Sequence, residues 1–366
     1  MLRIGDRPLP VVGRARMYVC GITPYDTTHL GHAATFVWAD VAARVLRHLG
    51  VDVEVCRNVT DVDDVLDAAA AHVGDRSDSF AAVQQFRFDR DMVSLGVRPP
   101  THEPRAHNHV AQVVTLAAAL LESGAAYLRG GTVWFRGGEV PARAGLSADA
   151  AATLAAEFGQ RFGAPGAEGP ADVPIWRSAE PGEVAWPSPW GEGRPGWHAE
   201  CAAMALTTLG PALDLHVGGA DLRFPHHAYE SAMAEALTGV QPFARSWMHV
   251  GTVRVGGAKM AKSTGNLVLV SDIVDEHPAV ALRLLLIDRP WGQEWDYDPA
   301  ALDAATARLE RLYAAAARGV VEDGTKAASA VTAALLADLD VPTALAIAEE
   351  SGGEAARVAL SVLGLA

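Results

Sequence analysis

Over the first 60 residues the apolar positions change period twice. "RMYVCG" (16–21) is a short, continuous apolar run closed by glycine, which predicts a buried strand. From Ala33 to Leu49, "AATFVWADVAARVLRHL" repeats apolar residues at helical spacing, and Gly50 supplies a stop. "VDVEVCRNV" (51–59) returns to a strand-like run rich in β-branched residues. Strand, helix and strand in quick succession predict a βαβ unit and therefore a parallel sheet.

Helical patterns continue from about Ser79 to Gly124, broken at "GVRPPTHEP" (96–104). Residues 163–195, rich in Gly, Pro and Trp, read as a structured loop region. Regular patterns resume with a helix at "HAECAAMALTTLG" (198–210), a strand at "ALDLHV" (212–217) and a helix from "FPHHAYESAMAEAL" (224–237). "WMHVGTVRV" (247–255) alternates like one strand, and the pattern beyond Ser271 is helical and Ala-rich. The predicted fold class is α/β: a Rossmann-like, doubly wound parallel sheet, interrupted by an insertion and followed by helices. Its divisions fall at 1–104 (first half of the sheet domain), 105–195 (connective insertion), 196–266 (second half) and 267–366 (helical region).

Composition narrows the partners. A formal charge of −14 argues against a broad phosphate-binding surface, although it leaves room for a local basic patch. Residues 301–366 hold five Lys or Arg against nine Asp or Glu, a poor surface for a nucleic-acid backbone. Three cysteines form no disulfide framework. No apolar run approaches the roughly 18–20 residues of a membrane span, and the N-terminus lacks a secretory pattern. These features lead us to expect a cytoplasmic protein without membrane contact.

Three stretches carry chemistry. "GITPYDTTHLGHA" (21–33) puts His29 and His32 where the first strand gives way to a helix. Ligands of doubly wound sheets bind there, and helix N-terminal amides attract phosphate. The plainer role for either imidazole is a helix cap or a hydrogen-bonded core group. "GGAKMAKSTGN" (256–266) holds Lys259 and Lys262 in a small-residue loop with Ser263, which suits a mobile clamp on polyphosphate. In "GWHAECAAMALTTLGPALDLHVGGADLRFPHHAYE" (196–230), Cys201, His226 and Glu230 are metal-competent. The last two lie four apart, on one face of a helix.

"HLGH" followed by "KMAKS" resembles the signature pair of the class I aminoacyl-tRNA synthetase family. That resemblance implies the family's catalytic domain and its adenylate chemistry, with ATP as substrate accompanied by Mg2+. His29 and His32 would serve the α- and β-phosphate side, and Lys259 and Lys262 the leaving pyrophosphate. Ala261 stands where the family commonly has serine. Residues 196–230 resemble the zinc-binding segment of the cysteine-activating branch, which holds the cysteinyl-tRNA synthetases and the mycothiol ligases. This implies one Zn2+ per chain on Cys20, Cys201 and His226, with Glu230 as a fourth ligand or a neighbour. Thr23, Trp197 and His216 match the pocket around that metal. Asn58, Val59, Thr60 and Asp221 match the adenylate site. Gly21, Ile22, Thr35, Gly219, Ala220, Val253 and Ser263 complete the implied binding set. Cys56 keeps a core role, and Asp61, Asp63 and Asp64 are left as an acidic loop.

Within that branch, "VCGITPYDTTHLGHAATF", "NVTDVDD", "RPGWHAECAA" and "KMAKSTGNLVLVS" look more like the mycothiol ligases. The implied reaction joins L-cysteine to the amine of glucosaminyl-inositol, releasing AMP and pyrophosphate, with no tRNA. Departures keep other readings open. Glu230 and "WMHVG" resemble the tRNA synthetases, and a Glu-Arg-Gly-Gly-Asp-Pro stretch typical of the ligases survives only as "QRFGAP" (160–165). The alternatives are a paralogue that cysteinylates another small amine or carrier, a cysteinyl-tRNA synthetase, and a non-catalytic binding protein.

Overall fold

The structure, a computed structural model, describes residues 1–25, 28–157, 160, 162–260, 264–319 and 324–366. Four strands, Arg14–Ile22, Asp52–Val59, Leu213–Gly219 and Ala244–Val250, pair in parallel. Arg14–Ile22 lies between Asp52–Val59 and Leu213–Gly219, with Ala244–Val250 outermost. The chain leaves the central strand toward Asp52–Val59 and much later returns on its other side. The gap between Arg14–Ile22 and Leu213–Gly219 is thus a topological switch point, where the strand ends open a crevice for ligands.

The helix after the first strand spans Leu30–His48. It starts three residues earlier than its apolar period suggests, because His29 caps it: Nδ1 accepts the Gly31 amide at 3.1 Å. Leu30, Val37, Trp38, Val41 and Val45 on this helix are buried, and Gly50 follows its end with φ of 79°. The predicted stop is borne out.

Two expectations are corrected. Part of 163–195 is not loop: Val173–Ser178 and Gly193–Pro195 join Ala126–Arg129 and Thr132–Phe135 in a four-stranded antiparallel sheet. The strands are short and separated by Gly- and Pro-rich chain, so local punctuation hides a pairing made by distant partners and the fully buried Trp176. "WMHVGTVRV" is not one strand either. The parallel strand ends at Val250, and Val253–Val255 enters another small sheet with Ala258–Lys259 and Trp295–Asp296. Gly256 and Gly257, at φ 60° and 76°, make the two-residue turn of that hairpin.

The predicted helical region follows as Val270–Glu276, Ala279–Ile287, Ala300–Ala316, Gly324–Leu336, Val341–Ser351 and Gly353–Leu363. Buried Arg283 fastens it to the sheet domain, donating to Asp40 at 2.6 Å, to the Leu95 carbonyl at 2.9 Å and to the Leu363 carbonyl at 2.7 Å. No described helix is long and apolar enough to cross a membrane.

Candidate active site and metal centre

The floor of the crevice is set by a close approach of backbones. The Gly21 amide donates to Asn58 Oδ1 at 2.8 Å, Asn58 Nδ2 to Thr60 Oγ1 at 3.0 Å, and the Thr60 amide to the Ile22 carbonyl at 2.9 Å. A Cβ at position 21 would collide with the Asn58 carbonyl, so only glycine fits. Gly21, Ile22, Asn58, Val59 and Thr60 therefore form one ledge, and Thr23 leads off it into the turn before the histidines.

His29 and His32 stack face to face with centroids 3.8 Å apart. Both the capping role and a place at the crevice mouth thus belong to His29. Burial, and then repulsion from Lys259, push His32 down to about 4, so it is a neutral hydrogen-bond donor at pH 7. Thr35 Oγ1 donates to the Gly31 carbonyl at 3.3 Å one turn along. The chain beyond the lysine loop is sewn to the same helix start: Leu30 N donates to Val268 O at 3.0 Å and Val270 N to Thr28 O at 3.0 Å.

Lys259 ends the Gly-Gly hairpin, opposite Arg254 and close to Val253. Its ammonium lies 2.8 Å from Asp221, in the short turn Ala220–Arg223 that follows Gly219. A Cβ on Gly219 would strike the Asp221 carboxylate, so the tight "GGAD" turn brings the acid over the crevice. Lys262 and Ser263, with Ala261, lie outside the described residues.

Next to the ledge in sequence, Cys20 meets Cys201 and His226: the three ligand atoms lie within 4.8 Å of one another, all buried. Cys20 comes from the end of the central strand, Cys201 from the helix Trp197–Leu209 and His226 from the start of the helix His226–Thr238. Glu230 falls in a second group, which shares Cys20 and adds His216 and His227 within the same 4.8 Å. Its Oε2 meets His216 Nε2 at 3.0 Å, while its buried Oε1 has no hydrogen-bond partner among the described residues. Burial pushes the Cys20 thiol and the Glu230 carboxyl up and His226 down, so the cluster holds donors whose anionic forms lack a counter-charge. Two thiols, imidazole and an orphaned carboxylate oxygen suit a metal ion. Cys56 is buried in the adjoining apolar cluster, as its core role required.

Beside the expected Trp197 and His216, the walls contain residues that the sequence reading missed: Trp247, His227 and His198. Trp197 stacks on His226 at 4.1 Å, and Trp247 stacks on His216 at 4.5 Å. His227, the second imidazole of "PHH", contacts Cys20 Sγ at 3.3 Å and His249 at 2.9 Å. His198 Nε2 donates to Gln160 Oε1 at 2.9 Å, and its Nδ1 meets His226 Nδ1, also at 2.9 Å. With His198 protonated on Nε2, His226 donates from Nδ1 and keeps its Nε2 lone pair free. The available signal was the crowding of "WHAEC" and "PHH", but which imidazoles meet depends on how two helices pack.

Fold and site together define a doubly wound α/β enzyme with a nucleotide-type crevice beside a buried thiol and imidazole cluster. Residues 10–307 match the model of the tRNA synthetases class I (C) catalytic domain, and the chain belongs to that family. The cysteine–tRNA ligase of Alkalilimnicola ehrlichii is 43% identical, covering 94% of this chain and 76% of its own. An L-cysteine:1D-myo-inositol 2-amino-2-deoxy-alpha-D-glucopyranoside ligase from Thermobispora bispora is 42% identical, covering 92% and 84%. The enzyme of that name from Kribbella flavida is 42% identical, covering 96% and 89%. Methionyl-tRNA synthetase of Mycobacterium tuberculosis with methionyl-adenylate superposes with a TM-score of 0.66 over 97% of this chain and 82% of its own. At 19% identity this last likeness shows the fold alone.

Proposed function

We propose that the protein activates L-cysteine with ATP and joins it to the amine of glucosaminyl-inositol, the reaction named for its ligase relatives. The observation that carries the reading is the convergence of Cys20, Cys201 and His226 at the end of the central strand, one residue before the ledge that Gly21 opens. In the first step an oxygen of the cysteine carboxylate bonds to the α-phosphorus of ATP, which enters with Mg2+, and pyrophosphate leaves. Negative charge grows on the phosphate oxygens, where His29, neutral His32, Lys259 and Lys262 act as fixed donors and Ser263 adds a hydroxyl. Gly21, Asn58 and Thr60 hold the nucleotide side, and Asp221 keeps Lys259 poised over the crevice until the phosphates compete for it. In the second step the amine nitrogen bonds to the carbonyl carbon, the bond to AMP breaks and a proton leaves the nitrogen. A neutral amine needs positioning more than base catalysis.

A zinc ion, one per chain, would be held by Cys20, Cys201 and His226, with Glu230 completing the set or reaching it through His216. When bound, it would take the substrate's thiolate, a ligand that serine's hydroxyl replaces poorly. Trp197 and His216 fix the shape of that pocket by stacking. Apolar walls discriminate near-isosteres weakly, so the sulfur bond carries the selectivity.

Charging of tRNA is the second reading. It is favoured by a cysteine–tRNA ligase as similar as the amide-forming relatives, and by the buried Glu230. The acidic balance of the chain supports the small acceptor instead. Incubation with ATP, cysteine and glucosaminyl-inositol, tRNA or neither, followed by mass spectrometry, separates them. The amide is expected. Charged tRNA without amide would overturn the reading.

A further inference from the structure

Beside the cysteine site, a cavity of about 300 Å³ is lined by Asp63, Asp64, Gln160, Arg194, Trp197, His198 and Glu200, among others. Through Asp64 and Arg194 it adjoins a wider cleft of about 960 Å³ between residues 61–78 and the inserted sheet, where Asp67, Asp75, Asp78, Glu183 and Trp186 add to the wall. Arginines of the inserted sheet bridge the two sides: Arg194 reaches Asp67 at 2.7 Å and Asp64 at 3.2 Å, and Arg177 reaches Asp64 at 2.9 Å.

One group in this wall is unexplained. Glu200 is 1% exposed, and both of its carboxylate oxygens lack a hydrogen-bond partner among the described residues. A buried carboxyl with both oxygens unpartnered is left unsatisfied, so a strongly donating ligand is its natural complement. Trp197, in the same wall, is the residue stacked on His226, so one side chain belongs to both the cavity and the cysteine site. Gln160 also lines it, and Gln160 opens the "QRFGAP" stretch that departs from the ligase pattern.

Resting on the proposed cysteine activation, we propose that this cavity is the acceptor subsite of the second step: the amino group of a small polyhydroxylated amine docks against Glu200, and its hydroxyl-bearing remainder runs past Asp64, Arg177 and Arg194 toward the outer cleft. The volumes fall in the roughly 300–1,000 Å³ range of small-ligand sites, and carboxylates alternating with arginines suit the donors and acceptors of a polyol. The acidic excess disfavours the phosphates of an RNA end.

The test compares cysteine-dependent ATP–pyrophosphate exchange with amide formation in the full-length protein. Glu200→Gln is expected to raise the KM for glucosaminyl-inositol about 10-fold or more, and Asp64→Asn to raise it by less, with the ratio of amide formation to exchange falling in both. Because Glu200 adjoins Cys201, Asp64→Asn at the open rim keeps the question answerable if the first variant fails to fold. With wild-type protein, D-glucosamine should slow amide formation competitively, and N-acetylglucosamine should not. Unchanged KM in both variants, or equal inhibition by the two sugars, would overturn the subsite while leaving cysteine activation intact. Exchange absent from the wild type would overturn the underlying reading instead. Transfer of cysteine to tRNA with the same sensitivity to Asp64→Asn would make the cavity an RNA-end site and overturn the small-amine assignment.

Discussion

His29 shows how a single residue holds two roles. Its Nδ1 caps the helix, and its ring stacks on His32, so a structural account and a phosphate-binding account describe the same geometry. His32 carries the cleaner test, because neutralised by burial it donates at the mouth without serving as the cap. His32→Ala should slow ATP–pyrophosphate exchange about 100-fold or more, on the scale of losing one preorganised donor, while leaving far-UV circular dichroism unchanged. Exchange near the wild-type rate would place the phosphates elsewhere. For the metal, Cys201→Ser should weaken zinc binding by about 100-fold or more, and Cys56→Ser should leave it alone, as read by elemental analysis after dialysis. Zinc retained in the Cys201 variant would contradict the assigned ligands. Cys201 and His226 were legible in the sequence because they share one segment. Cys20 came only through family resemblance, since nothing local says which distant strand meets that segment. His227 and His198 were missed because their roles arise from helix packing.

At the scale of elements, the opening strand, helix and strand were readable because buried parallel strands appear as short apolar runs and the helix repeats every few residues. The strands Val173–Ser178 and Gly193–Pro195 were not, because three- and six-residue strands among glycines carry too little pattern. The cap role weighed for His29 is borne out, but the apolar period alone starts the helix three residues late, because the first turn holds Gly31 and His32 rather than an apolar repeat. The glycine on the ledge gives an element-level test. Gly21→Ala must push the central strand off Asn58 and should cost about 1–3 kcal/mol of stability, measured by urea unfolding. A variant as stable as the wild type, with exchange intact, would mean that the strands do not approach so closely.

Over the whole molecule, the sheet domain and the C-terminal helices are held in one register by buried Arg283 and Asp40. Arg283→Ala leaves Asp40 with Arg44 at 2.6 Å but orphans two carbonyls, and should lower stability by about 3–5 kcal/mol. A change near zero in urea unfolding would deny the clamp. Acid should loosen the protein by a different route. Burial pushes His198 and His216 down to about 3 each, below the value near 6.5 that they have when unfolded. Between those values the unfolded chain binds more protons, so stability is full above about pH 6.5 and falls as pH drops toward 3, by up to about 1.4 kcal/mol per unit for each group. Metal-stripped protein should therefore unfold at distinctly lower urea concentration at pH 5 than at pH 7, and equal midpoints would contradict a buried neutral cluster. The central claim is that this cluster selects cysteine for activation above it, and ATP–pyrophosphate exchange with cysteine or serine tests it most directly. The account predicts exchange with cysteine at least about 100-fold faster than with serine; comparable rates with the two amino acids would contradict it.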